Sequence, residues 1–167
     1  MSFMNGEELE DTLVYQDFVT DVLYNRGFPI CAYSSKRYNI DKGESRAGVE
    51  IKNDKRFNET GNLYFETHEK RDVNNNWTLS GIKRDDNTTF YFIGDYKRAW
   101  LFSKKQLKVL CENYMKYGFK EVETPTSKGI LIPIEYFETH NSIPIMTFDF
   151  EKEKMFEENY NHIPRID

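Results

Sequence analysis

Glu44, Glu50 and Lys52 are the residues of this chain whose types and spacing suit a hydrolytic site. They fall within Gly43-Glu44-Ser45-Arg46-Ala47-Gly48-Val49-Glu50-Ile51-Lys52-Asn53-Asp54. Side chains alternate across an extended strand, so Glu50, Lys52 and Asp54 project from one face and Val49 and Ile51 from the other. The apolar pair can anchor a sheet to a core. The opposite face then holds two carboxylates flanking an amine, with Glu44 just upstream. Clustered carboxylates suit a hard cation such as Mg2+ or Mn2+, and an ammonium beside them can neutralise a phosphate or orient a water. That is the chemistry of a metal-dependent phosphodiesterase. Lys52 stands on the outward face, so its removal is expected to open no core cavity and to leave folding intact.

The elements that must position these residues can be read along the chain. Asn5 is placed to cap a helix with Glu8 at its third position, and Leu9, Leu13, Val14, Phe18, Val22 and Leu23 make its apolar stripe. Gly27 and Pro29 end it. Phe28 to Tyr33 reads as a short strand, Ser34 to Ala47 as a loop or irregular hairpin, and Gly48 to Asn53 as the strand of the candidate site. Thr60-Gly61-Asn62 is a turn leading into the strand Leu63 to Thr67. There Tyr64 and Glu66 share one face, while Leu63 and Phe65 fill the core. Glu69 to Asn76 is charged and Asn-rich, as an exposed loop would be.

Phe90-Tyr91-Phe92-Ile93 and Ala99-Trp100-Leu101-Phe102 are strong strands joined by a turn at Gly94-Asp95. Ser103 and Gln106 form a capping box for a helix bearing Leu107, Leu110, Cys111 and Tyr114, closed near Gly118. Ile130-Leu131-Ile132 is a late buried strand ended by Pro133, and residues 150–160 form a short charged helix. Helix, strands, helix, strand indicates an α/β chain of mixed α+β type, with a mixed β-sheet flanked by helices in one domain over 1–167.

At Glu50-Ile51-Lys52 the chain resembles the PD-(D/E)XK nuclease superfamily, whose restriction-endonuclease-like core carries an acid followed by E-x-K on a neighbouring strand. Gly43-Glu44, Gly48-Val49-Glu50-Ile51-Lys52-x-Asp54, Thr60-Gly61-Asn62-Leu63-Tyr64-x-Glu66 and Ser80-Gly81-Ile82 are similar to blocks of its small phage and mobile-element members, over about residues 35 to 132. The resemblance implies an endodeoxyribonuclease acting on DNA with Mg2+ or Mn2+. Its metal ligands would be Glu44, Glu50 and the Ile51 backbone carbonyl, and Lys52 its water-activating residue. Many such enzymes act as homodimers because a duplex has two strands. Two departures stand out: Glu44 replaces the usual Asp, and no Pro-Asp dipeptide precedes the triplet. Asp41 is the alternative first acid. A second register takes Asp54 as first acid and Glu66 as second, with His68 where Lys is expected. Asp95-Tyr96-Lys97 also fits (D/E)-x-K, but it lies in a turn without flanking acids.

Composition bounds these readings. The 167 residues include 13 Phe and 11 Tyr, 38% of the chain is hydrophobic and the formal charge is -5. Such aromatic content excludes a disordered chain, and the acidic balance argues against a protein that coats nucleic acid without specificity. That balance lends weight to a second class: a catalytically inactive nuclease-fold binding protein of a phage or mobile element, anti-defence or DNA-associated. A generic α+β interaction domain requires the four blocks to be accidental. Cys31 and Cys111 read as buried thiols, and His68, His140 and His162 have no metal spacing. Lys36-Arg37, Lys55-Arg56, Lys83-Arg84 and Lys104-Lys105 are solubilising pairs, the first three a phosphate track if one rim gathers them. Ser127-Lys128-Gly129 reads as a solvated turn. No apolar run is long enough to span a membrane, and Met1 to Glu8 lacks a signal-peptide pattern, so a cytoplasmic protein is expected.

Overall fold

Phe90 to Ile93 and Ala99 to Phe102 are apolar at consecutive positions, a pattern that calls for a sheet covered on both faces. The computed structural model describes residues 6–28 and 48–154. In chain order these form α1 (Gly6–Asn25), β1 (Val49–Asn53), α2 (Phe57–Thr60), β2 (Asn62–Glu69), β3 (Thr78–Leu79) and a 3-10 turn (Gly81–Lys83). There follow β4 (Phe90–Gly94), β5 (Arg98–Ser103), α3 (Lys104–Glu112), α4 (Tyr114–Tyr117), β6 (Lys120–Glu123), β7 (Ser127–Pro133), α5 (Ile134–Thr139) and β8 (Pro144–Asp149).

The expected mixed sheet has the order β1-β4-β5-β8, with β1 parallel to β4 and the other pairs antiparallel. Its two cores follow from the period of two. Phe92, Ala99 and Leu101 face α1 together with Val49, Ile51 and Phe148. Tyr91, Ile93, Trp100 and Phe102 face a second core with Leu63, Phe65, Ile130 and Ile132. Those last four belong to a separate antiparallel sheet of order β3-β2-β7-β6, which the linear order of elements did not distinguish.

Helix α1 packs the expected Phe18, Val22 and Leu23 on the core, adds Tyr15 and Val19, and leaves Leu13 and Val14 out. Tyr15, Val19 and Leu23 are buried at a spacing of four, with Phe18 and Val22 partly covered. Leu13 and Val14 are 53% and 54% exposed, because each lies more than a quarter turn away from that line. Tyr15, absent from the expected stripe, packs its ring body as a hydrophobe. Gly27, at φ 75°, closes the helix: its N–H donates to the Tyr24 carbonyl and that of Phe28 to the Leu23 carbonyl. Asn5, Pro29, Cys31, the remainder of the Phe28 to Tyr33 strand, Lys36-Arg37, Asp41, Glu44, His162 and the helix beyond residue 154 lie outside the described residues. Cys111 is buried as expected, and burial pushes its thiol up to about 12.

The capping box at Ser103 is not made. Ser103 stands at the N-cap of α3 without a side-chain cap bond, and the Lys104 N–H donates instead to the Thr89 carbonyl. Lys104 is buried and not solvated: Nζ donates to Asp86 Oδ1 at 2.7 Å and to the Arg84 carbonyl at 2.8 Å. Burial alone would push the Asp86 carboxyl up, but hydrogen bonds from Lys104 and Thr88 outweigh it and hold the group below its ordinary value. The stability it contributes is full above the ordinary aspartate pKa of about 3.9 and is lost as pH falls through the lowered folded-state value. Urea unfolding at pH 7 and pH 3 should therefore show a smaller acid loss for the Asp86→Asn/Lys104→Met variant than for the unaltered chain. Equal losses would remove Asp86 from the acid response. Lys104→Met alone should cost about 3 kcal/mol at pH 7, since it strands a buried carboxylate. No described helix is long and apolar enough to cross a membrane.

Candidate active-site cleft

The alternation along β1 divides its side chains between two environments. Val49 and Ile51 pack against α1, while Glu50 and Lys52 face the side of Tyr91 and Ile93, their register partners on β4. Glu50 is only 2% exposed, and Lys52 Nζ lies 2.9 Å from its Oε1. The Lys52 side chain is 39% exposed, so the pair runs from the protein interior to an opening. Ile51, whose backbone carbonyl the resemblance assigns to a cation, sits opposite Phe92.

Asp54 follows the strand. Its own N–H donates to the Gly94 carbonyl at 2.8 Å, which ties the end of β1 to β4. Its carboxylate accepts from the backbone N–H of Arg56 at 3.0 Å and of Tyr64 at 3.2 Å, linking β1 to the start of β2. Burial pushes the Asp54 carboxyl up, against the opposing backbone hydrogen bonds from Tyr64, Arg56 and Phe57. Between those two anchors runs the short α2, which Gly61 closes in the left-handed region at φ 68°.

On β2, Leu63 and Phe65 are buried in the core while Tyr64 and Glu66 face a cavity. Glu66 is the centre of a side-chain network. Ser80 Oγ donates to its Oε1, and Ser127 Oγ donates to its Oε2 at 2.8 Å. Because Ser127 spends its proton on Glu66, the Tyr64 hydroxyl is the donor in its 2.6 Å bond to Ser127. Arg84 Nη2 donates to Ser80 Oγ at 3.2 Å. The Tyr64 ring packs on Gly129, where a Cβ would stand 2.4 Å from Cε2. Burial raises the Tyr64 hydroxyl pKa.

The cavity has a volume of about 630 Å³, and Lys52, Asp54, Tyr64 and Glu66 all line it. Lys55 and Arg56 add two cationic groups to its wall, and Ile93, Val122 and Leu131 an apolar one. Lys55 also pairs with Asp11 at 2.6 Å. Thus Lys52, Asp54 and Glu66, named from the sequence, share one cleft, with Glu50 joined to it through Lys52. Asp41 and Glu44 lie outside the described residues. Among the described residues no three His, Cys, Asp or Glu side chains gather into a group that could hold a metal ion. Asp54 and Glu66 each direct both carboxylate oxygens at protein donors, and Glu50 Oε1 pairs with Lys52.

The other sequence candidates fall elsewhere. In the second register, the pairing of β2 with β7 shifts between Glu66 and His68, and Thr67 between them is buried. The His68 pKa is lowered by burial and by Lys83 and Lys128. Asp95-Tyr96-Lys97 sits in the β4–β5 turn, where Asp95 Oδ1 accepts from the N–H groups of Lys97 and Arg98. Ser127 is not a solvated turn residue but part of the Glu66 network, and Lys128 pairs with Glu123 at 2.8 Å. Ser80 and Arg84 were missed in that role. Ser80-Gly81 stood out as a block, but nothing in it named Glu66 as the partner.

The chain matches no family model, no curated protein and no solved structure.

Proposed function

We propose that this chain is a metal-dependent nuclease hydrolysing DNA phosphodiester bonds, with the mixed sheet as its restriction-endonuclease-like core. The observation that carries the reading is the Glu50–Lys52 pair on β1, which opens into a cleft shared with Asp54, Tyr64 and Glu66. Glu50, with Glu44 and the Ile51 carbonyl, would hold Mg2+ or Mn2+. When bound, the cation supplies Lewis-acid stabilisation of phosphoryl charge and a more acidic water. Lys52 orients the attacking water and offsets the negative charge that develops on the phosphoryl oxygens. Lys55 and Arg56 hold the flanking phosphates. Asp54 fixes the path from β1 to β2 by accepting from the Tyr64 N–H, so it ties the strand of Lys52 to that of Tyr64.

Calorimetric titration with Mn2+ tests the assignment. Glu50→Gln should abolish most of the binding, whereas Asp95→Asn, which alters the other (D/E)-x-K triplet, should leave it unchanged. Equal losses would remove Glu50 from the site. The unaltered protein should also gain thermal stability with Mn2+, by linkage.

A second reading, a DNA-binding protein without hydrolysis, draws on the engagement of Asp54 and Glu66 with protein donors. DNA binding with neither Mn2+ stabilisation nor Mg2+-dependent cleavage would select it.

A further inference from the structure

We infer that the cleft takes an unpaired strand of nucleic acid, with a base laid against Tyr64, and excludes an intact duplex. This names the substrate class of the proposed nuclease site and rests on that reading for its chemistry.

Size is the first argument. The cavity volume of about 630 Å³ is that of a site for a single small molecule, room for a nucleotide and not for a paired double strand. The Glu50 carboxylate, 2% exposed, lies at the inner end of its pair with Lys52. A phosphodiester must therefore enter the opening to meet both groups. A single extruded or unpaired nucleotide can do so, as it does in enzymes that act on bases inside pockets.

The lining is the second argument. Tyr64 and Leu131 are register partners across β2 and β7, and Val122 pairs with Gly129 across β6 and β7. These partly exposed side chains make an apolar patch on one face of the antiparallel sheet. Tyr64 is held at both ends, by its hydroxyl on Ser127 and by its ring on Gly129. A fixed aromatic ring beside cationic groups suits a base face joined to its phosphate, and any base offers such a face. In a duplex those faces are covered by neighbouring bases. The cations Lys52, Lys55 and Arg56 come from one short run at the end of β1 and line the same cavity as Tyr64.

Fluorescence anisotropy in Ca2+, with a labelled 12-nucleotide single strand and the blunt duplex of the same sequence, tests the inference. The single strand should bind at least about tenfold more tightly, Tyr64→Ala should weaken it by about tenfold, and Tyr64→Phe by much less, because stacking needs the ring and not the hydroxyl. Equal binding of both DNAs, no binding of either, or an equal loss in the two variants would overturn it. If Tyr64→Ala does not fold, the single-strand preference of the unaltered protein and the near-normal binding of Tyr64→Phe decide the matter. Cleavage in Mg2+ separates the two proposals. Preferred binding of the single strand without cleavage leaves this inference standing and removes the nuclease. Equal cleavage of both DNAs does the reverse.

Discussion

Lys52→Ala is expected to reduce Mg2+-dependent DNA cleavage by at least about a hundredfold, the usual consequence of losing a group that faces developing transition-state charge. It is also expected to cost about 3 kcal/mol of stability at neutral pH, because the Glu50 carboxylate is buried and Lys52 stands 2.9 Å from it. Removal of this outward-facing lysine opens no core cavity, but it takes the partner from a buried carboxylate. The two effects can be separated. A Glu50→Gln/Lys52→Met variant should recover most of the lost stability, since neither a buried charge nor a vacated volume remains, yet it should stay inactive. Cleavage assays on the single and double variants, alongside urea unfolding, provide the check. Retention of wild-type cleavage by Lys52→Ala would end the catalytic assignment, whatever its stability.

Gly81→Ala should be among the most damaging single replacements in the described fold, at roughly 3–4 kcal/mol. Two costs combine. Gly81 has φ +47°, where an L side chain is strained by about 1–2 kcal/mol. A Cβ there would also stand 2.4 Å from the Glu66 carbonyl oxygen, backbone that cannot rotate aside. The 3-10 turn must then lift from β2, disturbing buried Ile82 and the bond from Ser80 to Glu66, at about 1–3 kcal/mol for an overpacked site. For a chain of this length the melting temperature should fall by roughly 10 °C. A shift below about 2 °C in a thermal melt would mean that the turn does not dock on β2 as described.

The parts of this fold that were legible in the sequence are those whose signal is local. Val49 to Asn53 alternates cleanly because one face packs on α1 and the other meets the cleft. Leu63 and Phe65 separate from Tyr64 and Glu66 for the same reason, and Gly27 and Gly61 mark their left-handed turns. The losses come where distant groups decide. Ser103 offers a capping pattern, but Thr89 reaches the Lys104 N–H. Lys104 reads as a surface charge until Asp86 is brought beneath it. Glu66 draws its partners from positions 14 and 61 residues away, which no window on the sequence joins. The division of the eight described strands into two sheets is likewise a matter of pairing between strands distant in sequence.

That division has a consequence for how the chain reaches its native state. One sheet takes strands 1, 4, 5 and 8 and the other takes strands 2, 3, 6 and 7, so the two are interleaved along the chain. Parallel pairing of β1 with β4 closes a loop that contains the whole of β2 and β3. Neither sheet is a contiguous segment, and each must wait for chain that belongs to the other. Non-local pairing of this kind slows folding, because the loops must close before the contacts that reward them form. Between β1 and β8, no single cut in the chain leaves both sheets on one fragment.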